Sequence, residues 1–472
     1  MLTHKSPITI RIAIFLVVST LLTGIPKGLC AQQPTAPNIV FILADDLGWS
    51  SLSMPMDKTD PRSASDYHET PNLDRLAAAG MRFSQAYAPA SICSPSRRSI
   101  LFGHTPARQG DESFGTNYQP TAGNYPTLPQ VLKGINGRYQ TAHFGKWDMR
   151  AGFSPEDAGY DESDGDTGNK NGNFAIEGTD KWTDYFITSD PKRANTLAAR
   201  SANFMTRQAK AGVPFFLQIS HYATHVEKQT TAGSYEKYQK KPRGKKHDDP
   251  AFAGMLDDLD RSIGAVLDTL ERLGIAQNTY VFFMADNGAT EFMPAVRNRL
   301  DHPSQFTKPM RNYPLRGGKW TLYEGGIRVP FLVMGPGVEA GSQCDVPIVG
   351  WDLLATFAEL AGENPASGSL DTDGGSFVSL LSGETGKPVA RTYNALVFHR
   401  YNNGYPHSAV IDGDYKLLKF WKSGKVELYN LKEDRGETHN IAGENPGKVK
   451  ELAAEMTAYF QKVNPELLTR YQ

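Results

Sequence analysis

At 472 residues, with 39% hydrophobic, 10% aromatic and 21% charged, the chain suits one large α/β domain plus a smaller one, since domains average roughly 100–200 residues. With 44 Gly and 30 Pro dispersed throughout, this composition excludes a disordered chain, a coiled coil and a multi-span membrane protein. The 50 Lys plus Arg nearly cancel 51 Asp plus Glu, so no global field draws the chain to nucleic acid, and any polyanion site must be a local patch.

Lys5 and Arg11 precede an apolar run from Ile12 to Ile25, too short to span a bilayer, with small residues near Cys30 and Ala31. The pattern predicts a signal peptide over residues 1–31, against the alternative of an anchoring amphipathic helix. The expected product is exported, periplasmic or secreted from a bacterium, and not an integral membrane protein. Leu29 and Lys27 fit a lipidation motif at Cys30 poorly. Cleavage removes Lys5, Arg11 and Lys27 and no acid, which leaves a mildly acidic chain. Only Cys93 and Cys344 then remain, enough for one pairing but not for a disulfide framework.

Apolar runs at 38–44, 213–220, 279–285 and 329–334 alternate with helical patterns at 72–79, 195–210, 252–273 and 352–360. Such alternation predicts an α/β fold with a large, mainly parallel sheet flanked by helices, whose ligands sit beyond the carboxyl ends of the strands. From about Thr392 the rhythm changes to short strands at 395–399, 407–411, 415–421 and 426–429, then a helix at 446–461. The division expected is a domain over 32–391 and a smaller C-terminal antiparallel sheet plus helix over 392–472. Three long stretches, 111–124, 154–183 and the lysine-rich 227–250, read as irregular loops.

Two oxygen clusters follow buried strands directly: Asp45-Asp46-Leu47-Gly48 and Asp286-Asn287-Gly288. Either alone could be a turn or a helix cap. Together, at the same topological position and with no histidine or cysteine adjacent, they suit a hard cation, Ca²⁺ or Mg²⁺, rather than zinc. The segment from Cys93 to Gly103 reads as a helix with Ser94 as N-cap and Pro95 in its first turn, so that Arg97 and free N–H groups would attract an anion near Cys93. Cys93 itself is open to two readings, a thiolate nucleophile of lowered pKa or a buried structural cysteine.

Cys93-Ser94-Pro95-Ser96-Arg97 resembles the Cys-X-Pro-X-Arg signature of the type I sulfatases in the alkaline phosphatase superfamily. Blocks at 38–48, 70–103, 144–147, 221–225, 279–288 and 315–330 look like family blocks in family order. The resemblance implies a sulfuric ester hydrolase whose signature cysteine, here Cys93, is oxidised by a separate formylglycine-generating enzyme to formylglycine (3-oxoalanine). It implies Ca²⁺ held by Asp45, Asp46, Asp286, Asn287 and residue Cys93. Arg97 would hold the formylglycine, Lys146 and Lys319 would bind sulfate oxygens, and His225 would protonate the departing alcohol. If that block is shifted by four residues, His221 and His225 exchange roles.

One position departs from the family. Gly-Lys-Trp-His is usual, and its histidine takes the proton that lets sulfate leave, but here Asp148 follows Trp147. Asp148 could be the base, His143 could substitute, or turnover could be impaired, leaving a sulfated-glycan binding protein. Beyond the core motifs, Arg297, Arg299, Lys308, Arg311 and Arg316, and Lys237, Lys240, Lys241, Arg243, Lys245 and Lys246, are either solvated surface or a groove for a sulfated polymer. Tyr235, Tyr238, Trp320 and Tyr323 are candidates to stack on sugars. The expected function is hydrolysis of sulfate esters on carbohydrates, with a phosphatase or phosphonate hydrolase of the same superfamily as the rival.

Overall fold

The run Asn-Ile-Val-Phe-Ile-Leu-Ala is apolar on both alternating faces, so as a strand it must be covered on both sides. It forms the fully buried strand Asn38–Ala44 inside an eight-stranded sheet. The computed structural model describes Met1 and residues 36–110, 125–149, 153–172, 184–290, 311–364, 368–384, 386–401 and 404–471. The expected signal peptide, the stretch 111–124, part of 154–183, and Arg297, Arg299 and Lys308 lie outside the described residues.

The strands run in the order Ser342–Cys344, Met81–Phe83, Phe331–Met334, Thr279–Ala285, Asn38–Ala44, Phe215–Ser220, Gln140–Gly145, Glu162–Ser163. All neighbours are parallel except around Phe331–Met334, which runs antiparallel to both Thr279–Ala285 and Met81–Phe83. The sheet is therefore mainly parallel. Gln140–Gly145 has no counterpart in the sequence reading, because Gln140, Thr141 and His143 interrupt its apolar character. Its polar groups are satisfied by position: the Asp161 carboxylate accepts from the Thr141 hydroxyl at 2.9 Å, and His143 Nε2 lies 3.0 Å from Ser220 Oγ.

Two groups of helices cover the sheet. Pro71–Ala79, Ala194–Ala211 and Pro250–Arg272 pack on one another, as do Cys93–Phe102, Leu128–Ile135 and Leu353–Leu360. Phe357 from the second group meets Phe41, Phe216 and Phe282 of three adjacent strands, with ring centroids 5.9, 5.8 and 4.8 Å apart. The C-terminal strands Leu396–Arg400, His407–Asp412, Tyr415–Phe420 and Val426–Asn430 form an antiparallel meander. One of its faces packs on Tyr87, Leu322, Tyr323 and Trp351, and the other on Leu452, Met456 and Phe460 of the last helix, Pro446–Val463.

Two of the expected irregular loops are corrected: 154–183 contains the strand Glu162–Ser163, paired with Gln140–Gly145. The stretch 227–250 is not an irregular loop: it holds the strand Lys228–Thr230, paired with Tyr185–Ile187, and the helix Ala232–Lys240, capped by Thr231.

Candidate active site

The four neighbouring parallel strands end on the same edge of the sheet. Thr279–Ala285 leads into Asp286 and Asn287, Asn38–Ala44 into Asp45 and Asp46, Phe215–Ser220 into His221 and His225, and Gln140–Gly145 into Lys146 and Asp148. Main-chain bonds tie these ends together. Asp286 N–H donates to the Ala44 carbonyl at 3.0 Å, Asp45 N–H to that of Ala223 at 2.8 Å, and Lys146 N–H to that of Ser220 at 2.7 Å. Asp46 and Asp148 take left-handed φ values of 58° and 54°, turning the chain sharply out of its strands, and both side chains are buried.

Cys93 opens the helix Cys93–Phe102, which Gly103 closes at a left-handed φ of 67°. Ser94 is not its N-cap: Ile92 holds that position, and Ser94 lies inside the first turn. There its hydroxyl donates to Asp148 Oδ2 at 3.0 Å. Arg97 donates from Nε and Nη2 to Asp286 Oδ2 at 3.0 and 2.7 Å, and from Nη1 to the Lys146 carbonyl at 2.5 Å. The helix is thereby locked to two strand ends. Burial pushes the Cys93 thiol up to about 12, with Lys146 and Lys319 opposing the rise. Burial thus works against a thiolate at an unmodified Cys93. Cys93 and Cys344 are both buried and free, so they do not pair.

The oxygen cluster fits a cation. Among the described residues, Asp45 Oδ1 and Asn287 Oδ1 are buried acceptors with no hydrogen-bond partner. Each such orphan costs about 1–3 kcal/mol unless something positive fills the gap. Ligand atoms of Asp45, Cys93 and Asp286 lie within 4.8 Å of one another, as do those of Asp45, Asp46 and His225. Burial, and then the Asp45 charge, push Asp286 up to about 7 even against Arg97 and Lys146. Carboxylates crowded in this way call for more positive charge, and hard oxygen donors select Ca²⁺ or Mg²⁺.

Two lysines complete the pocket. Lys146 Nζ is 2.6 Å from Asp45 Oδ2 and 3.5 Å from Asp148 Oδ2, and Lys319 Nζ is 2.7 Å from Asp46 Oδ2. Burial works against both charges, but Asp45 for Lys146 and Asp46 for Lys319 outweigh it, so both remain protonated.

The histidines separate by position. His225 Nδ1 lies 2.6 Å from the Val226 carbonyl, which assigns the proton there, and Nε2 lies 3.8 Å from Asp46 Oδ2. Burial, then Lys319, hold His225 well below its ordinary value. His221 has no hydrogen-bond partner on either ring nitrogen among the described residues, and burial takes it down to about 3. His143 sits edge-on to Trp147 and Tyr160, with centroids 4.9 and 5.5 Å away, and burial lowers it to about 3. Of the two candidate bases, Asp148 touches the Cys93 turn through Ser94, whereas His143 meets Ser220, Trp147 and Tyr160.

The sulfatase family profile matches residues 37–363, and the profile for the C-terminal part of N-sulphoglucosamine sulphohydrolase matches 318–466. The chain belongs to the sulfatase family. This sulfatase is 29% identical to a sulfatase of Formosa agariphila over 93% of this chain and 90% of the relative. It is 30% identical to arylsulfatase A of Homo sapiens over 92% and 88%. Among solved structures, Ps i-CgsB shares the fold, with a TM-score of 0.72 at 24% identity over 91% of this chain and 94% of that one. Ps i-CgsB has also been solved in complex with k-i-k-neocarrahexaose.

Most of the lysine-rich segment of this sulfatase is engaged in holding the fold. Lys237 bridges Glu69 and Asp257 at 2.8 and 2.7 Å, and Lys241 reaches Glu69 at 2.7 Å. The Asp66 carboxylate accepts from the main-chain N–H groups of Lys245 and Lys246 at 2.7 and 2.9 Å. Arg316 donates to the Tyr429 hydroxyl at 2.7 Å, and Arg311 lies over the Phe252 ring at 4.3 Å. Tyr238, Trp320 and Tyr323 are buried, so three of the four proposed sugar platforms are core residues. Sequence reasoning missed Ser94 as a partner of Asp148. It also missed Lys192, buried where Asp45, Asp46 and Lys146 act on it and drawn down by burial to about 7. No motif marks Lys192.

Proposed function

We propose that this sulfatase hydrolyses sulfate esters on carbohydrates, with formylglycine at position 93 and Ca²⁺ held by Asp45, Asp46, Asp286, Asn287 and residue 93. The observation that carries the reading is the convergence, in one buried pocket, of orphaned Asp45 and Asn287 oxygens, Cys93, and the charged Lys146 and Lys319. When present, the aldehyde hydrate supplies the attacking oxygen and the cation stabilises its negative charge.

The chain's own groups do the rest. Lys146 and Lys319 neutralise sulfate oxygens, whose charge otherwise repels a nucleophile. Arg97, anchored on Asp286, fixes the turn that carries residue 93. His225 donates a proton from Nε2 to the departing alcohol, and bound sulfate supplies the negative charge that favours its protonated form. Asp148 accepts at Oδ2 the proton given up in recycling, while Lys146 and Ser94 offset its charge. The apolar run Ile12 to Ile25 behind Lys5 and Arg11 supports export as the setting, and the carbohydrate-bound state of Ps i-CgsB supports a sulfated glycan as substrate.

Comparing 4-nitrophenyl sulfate with 4-nitrophenyl phosphate and a phenylphosphonate ester, on protein matured alongside its formylglycine-generating enzyme, tests the reaction class. Higher kcat/KM for the sulfate is expected. Dominance of either phosphorus ester would replace this reading with the phosphatase or phosphonate hydrolase one.

A further inference from the structure

Among the described residues beyond Met1, exposed large hydrophobic side chains are few: Tyr313 at 44%, and Tyr185 at 43% with Ile187 at 49%, two positions apart on one face of a short strand. Burying apolar surface is the default, so such a cluster on a folded chain marks a contact surface. Tyr185 is not isolated. Its ring stacks on Tyr235 with centroids 4.7 Å apart and planes inclined by 18°. Tyr235, from the helix Ala232–Lys240, is half-buried, whereas Tyr238 of the same helix is fully buried against Tyr67 and serves the core. The stacked pair, forming an aromatic ledge, thus leaves aromatic surface open to solvent, chiefly from Tyr185.

The ledge is fastened to the catalytic centre from both of its strands. Tyr185 stands opposite Lys228 in the parallel pair with Lys228–Thr230. Lys228 follows His225 by three residues, a span of about 11 Å at most even when fully extended. The chain leaving Tyr185–Ile187 runs on to Lys192, whose N–H donates to Gln229 Oε1 at 3.0 Å and whose side chain is buried toward Asp45 and Lys146. The ledge is therefore carried by the two segments that lead, within a few residues, to His225 and to Lys192. Charges of both signs act on Tyr235: Arg243, which also donates to the Tyr67 hydroxyl at 3.3 Å, and Asp249.

We propose that Tyr185 and Tyr235 form a sugar-stacking subsite, taking the apolar face of a glycan ring beyond the sulfated one. Exposed aromatic surface matches the C–H face of a pyranose ring. The inference rests on the carbohydrate reading above. It adds that this sulfatase recognises a chain longer than a monosaccharide.

The test uses the matured, Ca²⁺-loaded protein, carrageenan and heparin tetrasaccharides, and 4-nitrophenyl sulfate. In Tyr185→Ala and Tyr235→Ala, kcat/KM for the preferred tetrasaccharide, divided by that for the aryl sulfate, is expected to fall about tenfold, through KM. Tyr185→Phe should retain the wild-type ratio, because the ring is kept. Calorimetric titration of each tetrasaccharide gives a reading independent of turnover: weaker binding in the alanine variants, by a similar factor, is expected even if the aryl sulfate proves a poor substrate. An unchanged ratio and unchanged affinity, a loss equal on both substrates, or no tetrasaccharide binding to the wild-type protein would each overturn the subsite. Failure to release sulfate from any substrate, with stacking-dependent binding intact, would instead overturn the hydrolytic reading alone.

Discussion

Asp148 follows Trp147 in the Gly-Lys-Trp block, and its surroundings suit the proposed role of a carboxylate base. Ser94 donates to Oδ2 at 3.0 Å and Lys146 Nζ lies 3.5 Å away, so negative charge beside sulfate is partly offset. Asp148→Asn keeps the size and the Ser94 contact but removes the basicity. Steady-state turnover is expected to fall by about 10²–10⁴, the usual contribution of a positioned base, with the first release of alcohol preserved in rapid-mixing experiments. His143→Gln is expected to leave the first-release burst and the steady rate close to wild type. Loss of recycling in His143→Gln instead would transfer the role. His225 is tested by the leaving group. In His225→Ala, a sugar sulfate should lose at least about 10² in kcat/KM, while 4-nitrophenyl sulfate, whose phenolate departs without a proton, should lose far less. Equal losses would count against His225 as the acid.

The elements differ in how plainly the sequence shows them. Asn38–Ala44 and Thr279–Ala285 are continuous apolar runs ending in acids, so both the strands and the oxygen cluster beyond them could be read directly. Gln140–Gly145 hides, because its polar residues become buried only through partners such as Asp161 and Ser220, which lie far along the chain. The segment 227–250 misleads for the same reason: Glu69, Asp66 and Asp257 take up its charges, and no local pattern announces those pairings. The C-terminal meander is joined to the loop that carries Lys319 through a buried ion network. Lys416 Nζ lies 2.8 Å from Glu324 and 2.9 Å from Glu437, and Arg328 also pairs with Glu324 at 2.6 Å. Lys416→Met would leave two buried carboxylates short of a counter-charge, at a cost of about 3–5 kcal/mol in urea unfolding. A change below about 1 kcal/mol would mean that the network does not hold the meander in place.

Across the whole molecule, the mainly parallel sheet and the antiparallel C-terminal sheet follow from hydrophobic periodicity, whereas the antiparallel Phe331–Met334 does not. An apolar run carries no sign of its direction, which here is set by pairing between Met81–Phe83 and Thr279–Ala285. The cation, where bound, would offset the repulsion among Asp45, Asp46 and Asp286 in the folded chain only. Chelation should therefore lower the melting temperature, and Ca²⁺ should restore it in a concentration-dependent way. An unchanged melting curve after exhaustive chelation would argue against a structural share for the ion. The central claim, that residue 93 acts as an aldehyde and not as a thiol, is tested most directly by mass spectrometry. The peptide spanning Cys93 should be measured in protein produced with and without a formylglycine-generating enzyme, and the converted fraction compared with sulfatase activity. Activity rising in proportion to conversion is predicted; full activity in protein whose Cys93 remains an unmodified thiol would contradict the account.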